Sequence, residues 1–378
     1  MYRCKHNAMK VSSFAAALLF CGTAVYGQDA AGGPGRRQAV FLATNDADRN
    51  EVISFVRNAD GTLQEGRRFA TGGRGSGGNN DPLESQGSLT LTADRGALLA
   101  VNAGSGEISV FRVHGALLEL SDVASSGGSE PNAVAQHGNL VYVLNTGGSS
   151  NVNGFHLQNG KLTPISNSLR FLTTNTSGAA SLAFSPDGRF LAVTERLTNN
   201  IDVFPVNGDG TLGGIVTFGE GGAGTFALSF APNGALIVSE TGGAAGSATS
   251  SYAVQPGGAL LAISSSVPSD GKANCWNAIT PDGRFAYVSN AGSSTIGGYA
   301  IGVSGTLTPL PGTVVGENPS GATNLDIAVS GDGKFLYTLN SGNGTIGIFA
   351  IHSDGTLTPL PAAEGIIANA GFNGIAAE

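Results

Sequence analysis

The chain has 378 residues, of which 59 are Gly, with 41% hydrophobic and only 12% charged residues. Interior Gly costs a helix roughly 1 kcal/mol relative to Ala, and surface helices are normally dressed in Glu, Lys and Arg, so a helical bundle is excluded, while the hydrophobic share excludes disorder. What remains is an all-β protein rich in tight turns, whose formal charge of −8 argues against nucleic acid or anionic lipid as partners.

Residues 1–27 read as a secretory signal peptide. Arg3, Lys5 and Lys10 form a basic start, Val11–Phe20 an apolar run, and Val25-Tyr26-Gly27 offers acceptable residues before a cut at Gln28. The run is short of the roughly 20 residues that cross a bilayer, so no membrane span is expected. Phe20 also sits where lipid attachment at Cys21 would need a small residue. The protein is therefore expected to be secreted or periplasmic and monomeric, with 28–37 a flexible linker and 38–378 the folded domain. Removing the signal takes away three of 19 basic residues and no acidic one, moving the charge from −8 to −11, and leaves Cys275 as the single cysteine. An exported chain with one cysteine has no internal disulfide and must be held by its core.

Internal repetition dominates the rest. Ser185-Pro-Asp-Gly-Arg-Phe-Leu-Ala-Val-Thr-Glu195, followed by Ile201–Phe204 and Asp209-Gly-Thr-Leu212, recurs from Thr280 and again from Ser330. Weaker copies complete a series marked by the residue ending each second strand: Asn45, Asn102, Asn145, Glu195, Glu240, Asn290 and Asn340. The period is near fifty, and the longest step is the 57 residues from Asn45 to Asn102. Each unit predicts four short antiparallel strands, the first two joined by a Pro-Asp-Gly turn read as a two-residue hairpin and the last two by a second Asp-Gly. Seven such units predict a seven-bladed β-propeller. The first unit lacks an innermost strand, and Phe372–Ala377 resembles one without a blade, so the C-terminus is expected to pair with Val40–Thr44 and close the ring, removing the exposed edge.

The Ser-Pro-Asp-Gly-Arg-Phe-Leu strand pair followed by Asp-Gly-Thr-Leu-Thr-Pro-Leu resembles the seven-bladed lactonase family, which includes the propeller type of 6-phosphogluconolactonase and carboxymuconate cyclases. The resemblance covers nearly all of 38–378 and implies a lactone-ring hydrolase or cyclase fold. Three of its four proposed catalytic positions do not carry over, and at the fourth, Glu195, an acid is present but shifted by one. A Gly-Pro-Arg-His run is replaced by Gly178-Ala179-Ala180-Ser181, Asn-Glu-Leu by Glu195-Arg196-Leu197, Ser-Asn-Arg by Ser289-Asn290-Ala291, and a His-rich strand start by Pro131-Asn132-Ala133.

Candidate site residues follow from the strand ends at the channel mouth. Glu195 and Asp326 are candidates for orienting water, and Arg196 for steadying an anion. Glu240, Asn290 and Asn340 end second strands on the same face. Alignment of innermost strands on their turns puts Ser88, Pro131, Ser181, Ala227, Trp276, Asp326 and Gly374 in one ring, with Thr225, Asn274 and Asn324 two residues earlier. A Trp face among carboxylates and carboxamides suits a sugar lactone or another small polar ligand; alternatively Trp276 plugs the channel and the Asn residues cap turns. Gly73–Gly78 matches Gly-x-Gly-x-x-Gly but with no helix to follow, and His114, His137, His156 and His352 do not converge, so neither a cofactor nor a metal is expected. Cys275 reads as a small buried apolar residue. Asn175-Thr-Ser177 and Asn343-Gly-Thr345 match the glycosylation sequon. Two functions stand: a diverged lactone-ring hydrolase or cyclase, and a non-catalytic propeller binding a carbohydrate or protein partner.

Overall fold

Alternating apolar and small residues bounded by Asp-Gly and Ser-Pro turns give short strands, and in the computed structural model, which describes residues 38–219, 222–243 and 246–378, those strands form seven antiparallel sheets. The expected signal peptide and linker lie outside the described residues. The second blade runs inside to outside through Leu89–Leu91, Ala97–Asn102, Glu107–His114 and Leu117–Ser125. Blades three to seven start at Ser129, Ala179, Thr225, Asn274 and Asn324 and follow the same order. Innermost strands of successive blades touch around the whole circle, which is the geometry of a closed seven-bladed propeller.

The first blade is made from both ends of the folded region. Ile375–Ala377 pairs with Ala39–Ala43, Leu42 opposite Ile375 and Val40 opposite Ala377. The closing strand is short, but the seam has other fastenings. Tyr337 of the seventh blade donates its hydroxyl to Gly61 O at 3.0 Å, and Arg57, whose side chain is almost wholly buried, pairs with Asp332 at 3.0 Å. The tyrosine contact is a repeat device: Tyr142 reaches Gly210 O and Tyr287 reaches Gly355 O, both at 2.8 Å, so a second-strand tyrosine holds the Asp-Gly turn of the next blade.

Local structure departs from expectation in two places. The Ser185-Pro-Asp-Gly-Arg189 turn is not a two-residue hairpin: Gly188 N donates to Ser185 O at 2.8 Å and only Gly188, at φ 70°, is left-handed. This is a type I turn in a longer loop, with Asp187 accepting from Ser185 Oγ and Arg189 N. The fourth strand expected from Thr211-Leu212 is only a bridge between Val206 and Leu212, and pairing resumes at Val216–Phe218. Gly213-Gly214 intervenes, where no side chain is present to pack on a neighbouring strand.

Candidate functional site at the channel mouth

The marker residues point into the blade interfaces and away from the channel axis. Asn102 accepts from Asn50 Nδ2 at 2.9 Å and Thr71 Oγ1 at 2.7 Å and donates to Ser109 Oγ at 2.8 Å, holding the segment that leaves the first blade. Glu195 accepts from Thr173 N and Oγ1, Thr198 Oγ1 and Asn200 Nδ2. Burial pushes its carboxyl up, but those hydrogen bonds outweigh burial and hold it below the usual range, so it is an ionised and fully occupied clamp. Glu240 accepts from Ser250 Oγ and from Ser266 Oγ. Asn290 donates to Thr295, and Asn340 to Asn318 Oδ1 at 3.0 Å and to Thr345. Glycine at 73, 128, 222 and 271 makes room, since a Cβ there would lie within about 2.5 Å of Asn102, Asn145, Glu240 or Asn290. Asn274 and Asn324 are also buried, donating to Ala248 O and Thr249 Oγ1 and to Ser289 Oγ and Thr295 O of the preceding blades. The expectation that these residues ring an open binding surface is therefore corrected: they are buried and their polar atoms are engaged within and between blades.

The innermost ring also changes register. Pro131 pairs with Asn145, the level of Thr225 and Asn274, and the third blade contributes Ala133, which pairs with Leu144. The hairpin His137–Leu140 is two residues shorter than a Pro-Asp-Gly loop, so counting back from the turn overshoots. In the first blade Asn373, rather than Gly374, takes the ring position: Gly374 O accepts from Ala43 N, and Asn373 Oδ1 accepts from Ser88 Oγ at 3.0 Å. A closing strand without a hairpin gives no turn to count from.

Trp276 is 1% exposed. Its indole Nε1 donates to Ser85 O at 2.8 Å, and its ring packs edge-on to Phe226 with centroids 5.2 Å apart. It offers no open face for stacking and fills the channel together with a segment of chain. Residues 71–88, the extra length of the 57-residue step, cross the axis before entering the second blade. Gln86 N donates to Ala180 O at 2.9 Å, Gln86 exchanges two hydrogen bonds with the Asn277 backbone across the channel, and Ser85 Oγ donates to Asn132 O. Three blades thus grip the Ser85-Gln86 dipeptide.

Above this plug, on the face where innermost strands begin, stand the groups that are not consumed by scaffolding. Arg196, a quarter exposed, pairs with the exposed Glu84. Asp81, partly open to solvent, accepts from Asn373 Nδ2 at 2.7 Å. Asp326 lies beneath, buried, accepting from Ile327 N at 2.8 Å and Ile375 N at 3.1 Å. Its Oδ2 therefore fastens the closing strand, its Oδ1 is held by the next residue of its own strand, and its burial leaves it poorly placed to orient a water. Burial pushes Asp81 up to about 7, against its bond from Asn373 and aided by the charges of Glu84 and Asp326; burial alone carries Asp326 to about 7. Cys275 sits among Asp81, Glu84 and Arg196, and burial, with the two acids, pushes its thiol up, so it remains a thiol and no nucleophile.

Of the sequence candidates, the structure brings Arg196 and Asp326 to the mouth and puts Glu195, Glu240, Asn274, Asn290, Asn324 and Asn340 into blade interfaces, with Trp276 in the plug. Asp81 was missed. Its signal was the over-long step: an acid followed by Pro82 in a long connection on the mouth face. Among the described residues no group of three or more His, Cys, Asp or Glu could hold a metal ion, and no helix is long and apolar enough to cross a membrane.

A family model described as Lactonase, 7-bladed beta-propeller, matches residues 36–241 and 281–364. A proposed 6-phosphogluconolactonase from Bacteroides uniformis is similar at 20% identity and TM-score 0.70, covering 91% of this chain and 100% of that one. The periplasmic gluconolactonase PpgL of Pseudomonas aeruginosa is similar at 18% identity and TM-score 0.68, covering 90% and 98%. A Lactobacillus plantarum protein is similar at 19% identity and TM-score 0.69, covering 91% and 99%. Likeness at these identities carries the fold. A comparison with curated proteins gives no match.

Proposed function

This chain belongs to the seven-bladed β-propeller lactonase family, and from that premise we propose that it is an exported protein acting on a small uncharged sugar lactone at the mouth above the plug, with Asp81 as proton carrier. The observation that carries this reading is a single carboxyl, Asp81, partly open to solvent, held by Asn373 and poised at about 7. A general base works best when its pKa lies near the working pH. In its ionised form Asp81 takes a proton from a water that attacks the lactone carbonyl carbon. The ring C–O bond then breaks and the leaving alkoxide takes the proton back, so water is the only co-reactant and Asp81 is regenerated. Arg196, at the same mouth, supplies the cation that steadies the developing oxyanion. Asp81, Glu84 and Asp326 make the mouth acidic, which disfavours a phosphorylated substrate. Export is supported by the signal-like residues 1–27 and fits the periplasmic gluconolactonase among similar structures.

A second reading, a non-catalytic binding propeller, is favoured by one observation: Ala180 O, at the position where the family resemblance expects Arg-His, is covered by Gln86 N. The test is hydrolysis of glucono-1,5-lactone and 6-phosphogluconolactone by the purified protein and by Asp81→Asn. The expected result is turnover of the neutral lactone that rises through pH 7 and falls about 100-fold in Asp81→Asn, in the usual range for lost acid-base help. Turnover no faster than the spontaneous rate, with the lactone still bound, selects the binding reading.

A further inference from the structure

The opposite end of the channel, where innermost strands turn into their hairpins, is not sealed. A cavity of about 510 Å³ opens there, and its floor is the underside of the plug, Gln86 and Gly87. We propose that this cavity is a second binding site, separate from the mouth, for a neutral molecule with a flat apolar body and one hydrogen-bonding group. The volume lies inside the range of small-molecule sites. Its walls are apolar, with Phe184, Phe230, Pro186 and Pro232 facing it from the fourth and fifth blades. No Asp, Glu, Lys or Arg lines it, so a charged ligand would shed its hydration without gaining a counter-ion.

The polar groups that line it are free to take a ligand. The hydroxyls of Ser181 and Ser229 have no hydrogen-bond partner among the described residues, and the His137 ring packs on Phe184, with centroids 5.9 Å apart, and against Gly188. Ser181 is 2% exposed, so its hydroxyl is set deep, against the floor. A polar group left without a partner in an apolar recess is destabilising unless something supplies one. A ligand hydroxyl or carbonyl reaching Ser181 while its body lies between Phe184 and Phe230 satisfies both halves of the lining.

Equilibrium dialysis with 2-naphthol, which is neutral at pH 7, and with its anionic counterpart 2-naphthoate tests this. The expected result is saturable one-to-one binding of 2-naphthol and at least tenfold weaker binding of 2-naphthoate. Ser229→Trp, which fills the cavity from its wall, should lower affinity at least tenfold. Ser181→Ala, which removes one hydroxyl and little else, should weaken binding about fivefold, in line with one lost hydrogen bond, and keeps the test open should the Trp variant fail to fold. No saturable binding by wild type, equal binding of the anion, or unchanged affinity in both variants overturns the proposal.

Discussion

The seventh blade and the first blade solve the same packing problem with different material. The seventh is one continuous run, Asn324 to Ala363, carrying every repeat motif in order. The first borrows its innermost strand from the far end of the chain and sends out an 18-residue connection that crosses the channel. In the regular blade the polar markers are absorbed by scaffolding: Asn340 binds Asn318 and Thr345, and Tyr337 reaches the next turn. In the irregular one the loop carries Asp81, Glu84 and Gln86, the residues that shape both ends of the channel. Repetition therefore marks what holds the ring, and interruption of the repeat marks what the ring can do.

The sharpest way to break this comparison is at the seam. Deleting residues 371–378 removes the closing strand with Asn373 and exposes the edge of Ala39–Ala43; we expect loss of soluble protein or a Tm lower by more than about 10 °C. A truncated protein that melts with the full-length one would show that the first blade does not depend on its borrowed strand. Next comes the plug. Trp276→Ala empties a fully buried site and removes the bond to Ser85, and large-to-small changes of this kind cost about 3–5 kcal/mol, or a Tm lower by roughly 8 °C. A near-neutral change would mean that the segment crossing the axis is not gripped from the sixth blade.

Smaller effects separate scaffold from site. Asn290→Ala should cost about 1–2 kcal/mol, seen as a few degrees in Tm, and leave any lactone turnover unchanged, because its side chain is buried and bonds Thr295 within the sixth blade. Loss of turnover at full stability would return Asn290 to the site. A separate effect, spread over several groups, is set by pH. Asp81, Asp202 and Asp326 are each raised to about 7 by burial, so their protonated forms belong to the fold. Their contribution is complete below the ordinary carboxylate pKa near 4 and is lost as pH rises through 7, so Tm should fall between pH 5 and pH 8 by roughly 5 °C. In Asp326→Asn, which mimics the neutral acid, this fall should be shallower; an unchanged slope would remove Asp326 from the account. Glu195 and Asp332 are held low and act in the opposite direction, losing stability only in acid.

Much of the fold was legible because strand ends, Asp-Gly turns and a period near fifty are local signals that repeat. The closure of the ring was legible as well, since a missing strand at Val40 and a spare one at Ile375 complement each other. Register within the channel was less so, because it depends on turn lengths that differ by two residues between Pro186–Arg189 and Gly138-Asn139. The site was least legible. Glu195 and Asn290 stand out in sequence because they recur, and they recur because every blade needs a clamp at its interface. Asp81 occurs in no repeat. Only the three-dimensional path of residues 71–88 puts it beside Asn373, 292 positions away.

The borrowed strand also fixes an order of events during synthesis. Ala39–Ala43 is the first strand of the propeller to leave the ribosome, yet its partner Ile375–Ala377 is the last. At about 10 residues per second, Phe41 and Leu42 wait on the order of half a minute with one edge unpaired, while the blades that follow can form from contiguous chain. The first blade begun is the last to be finished, and during that interval the nascent protein carries an unpaired apolar strand edge. A holdase that covers this edge, or a transport route that keeps the whole chain unfolded until its end has emerged, would spare the protein that hazard.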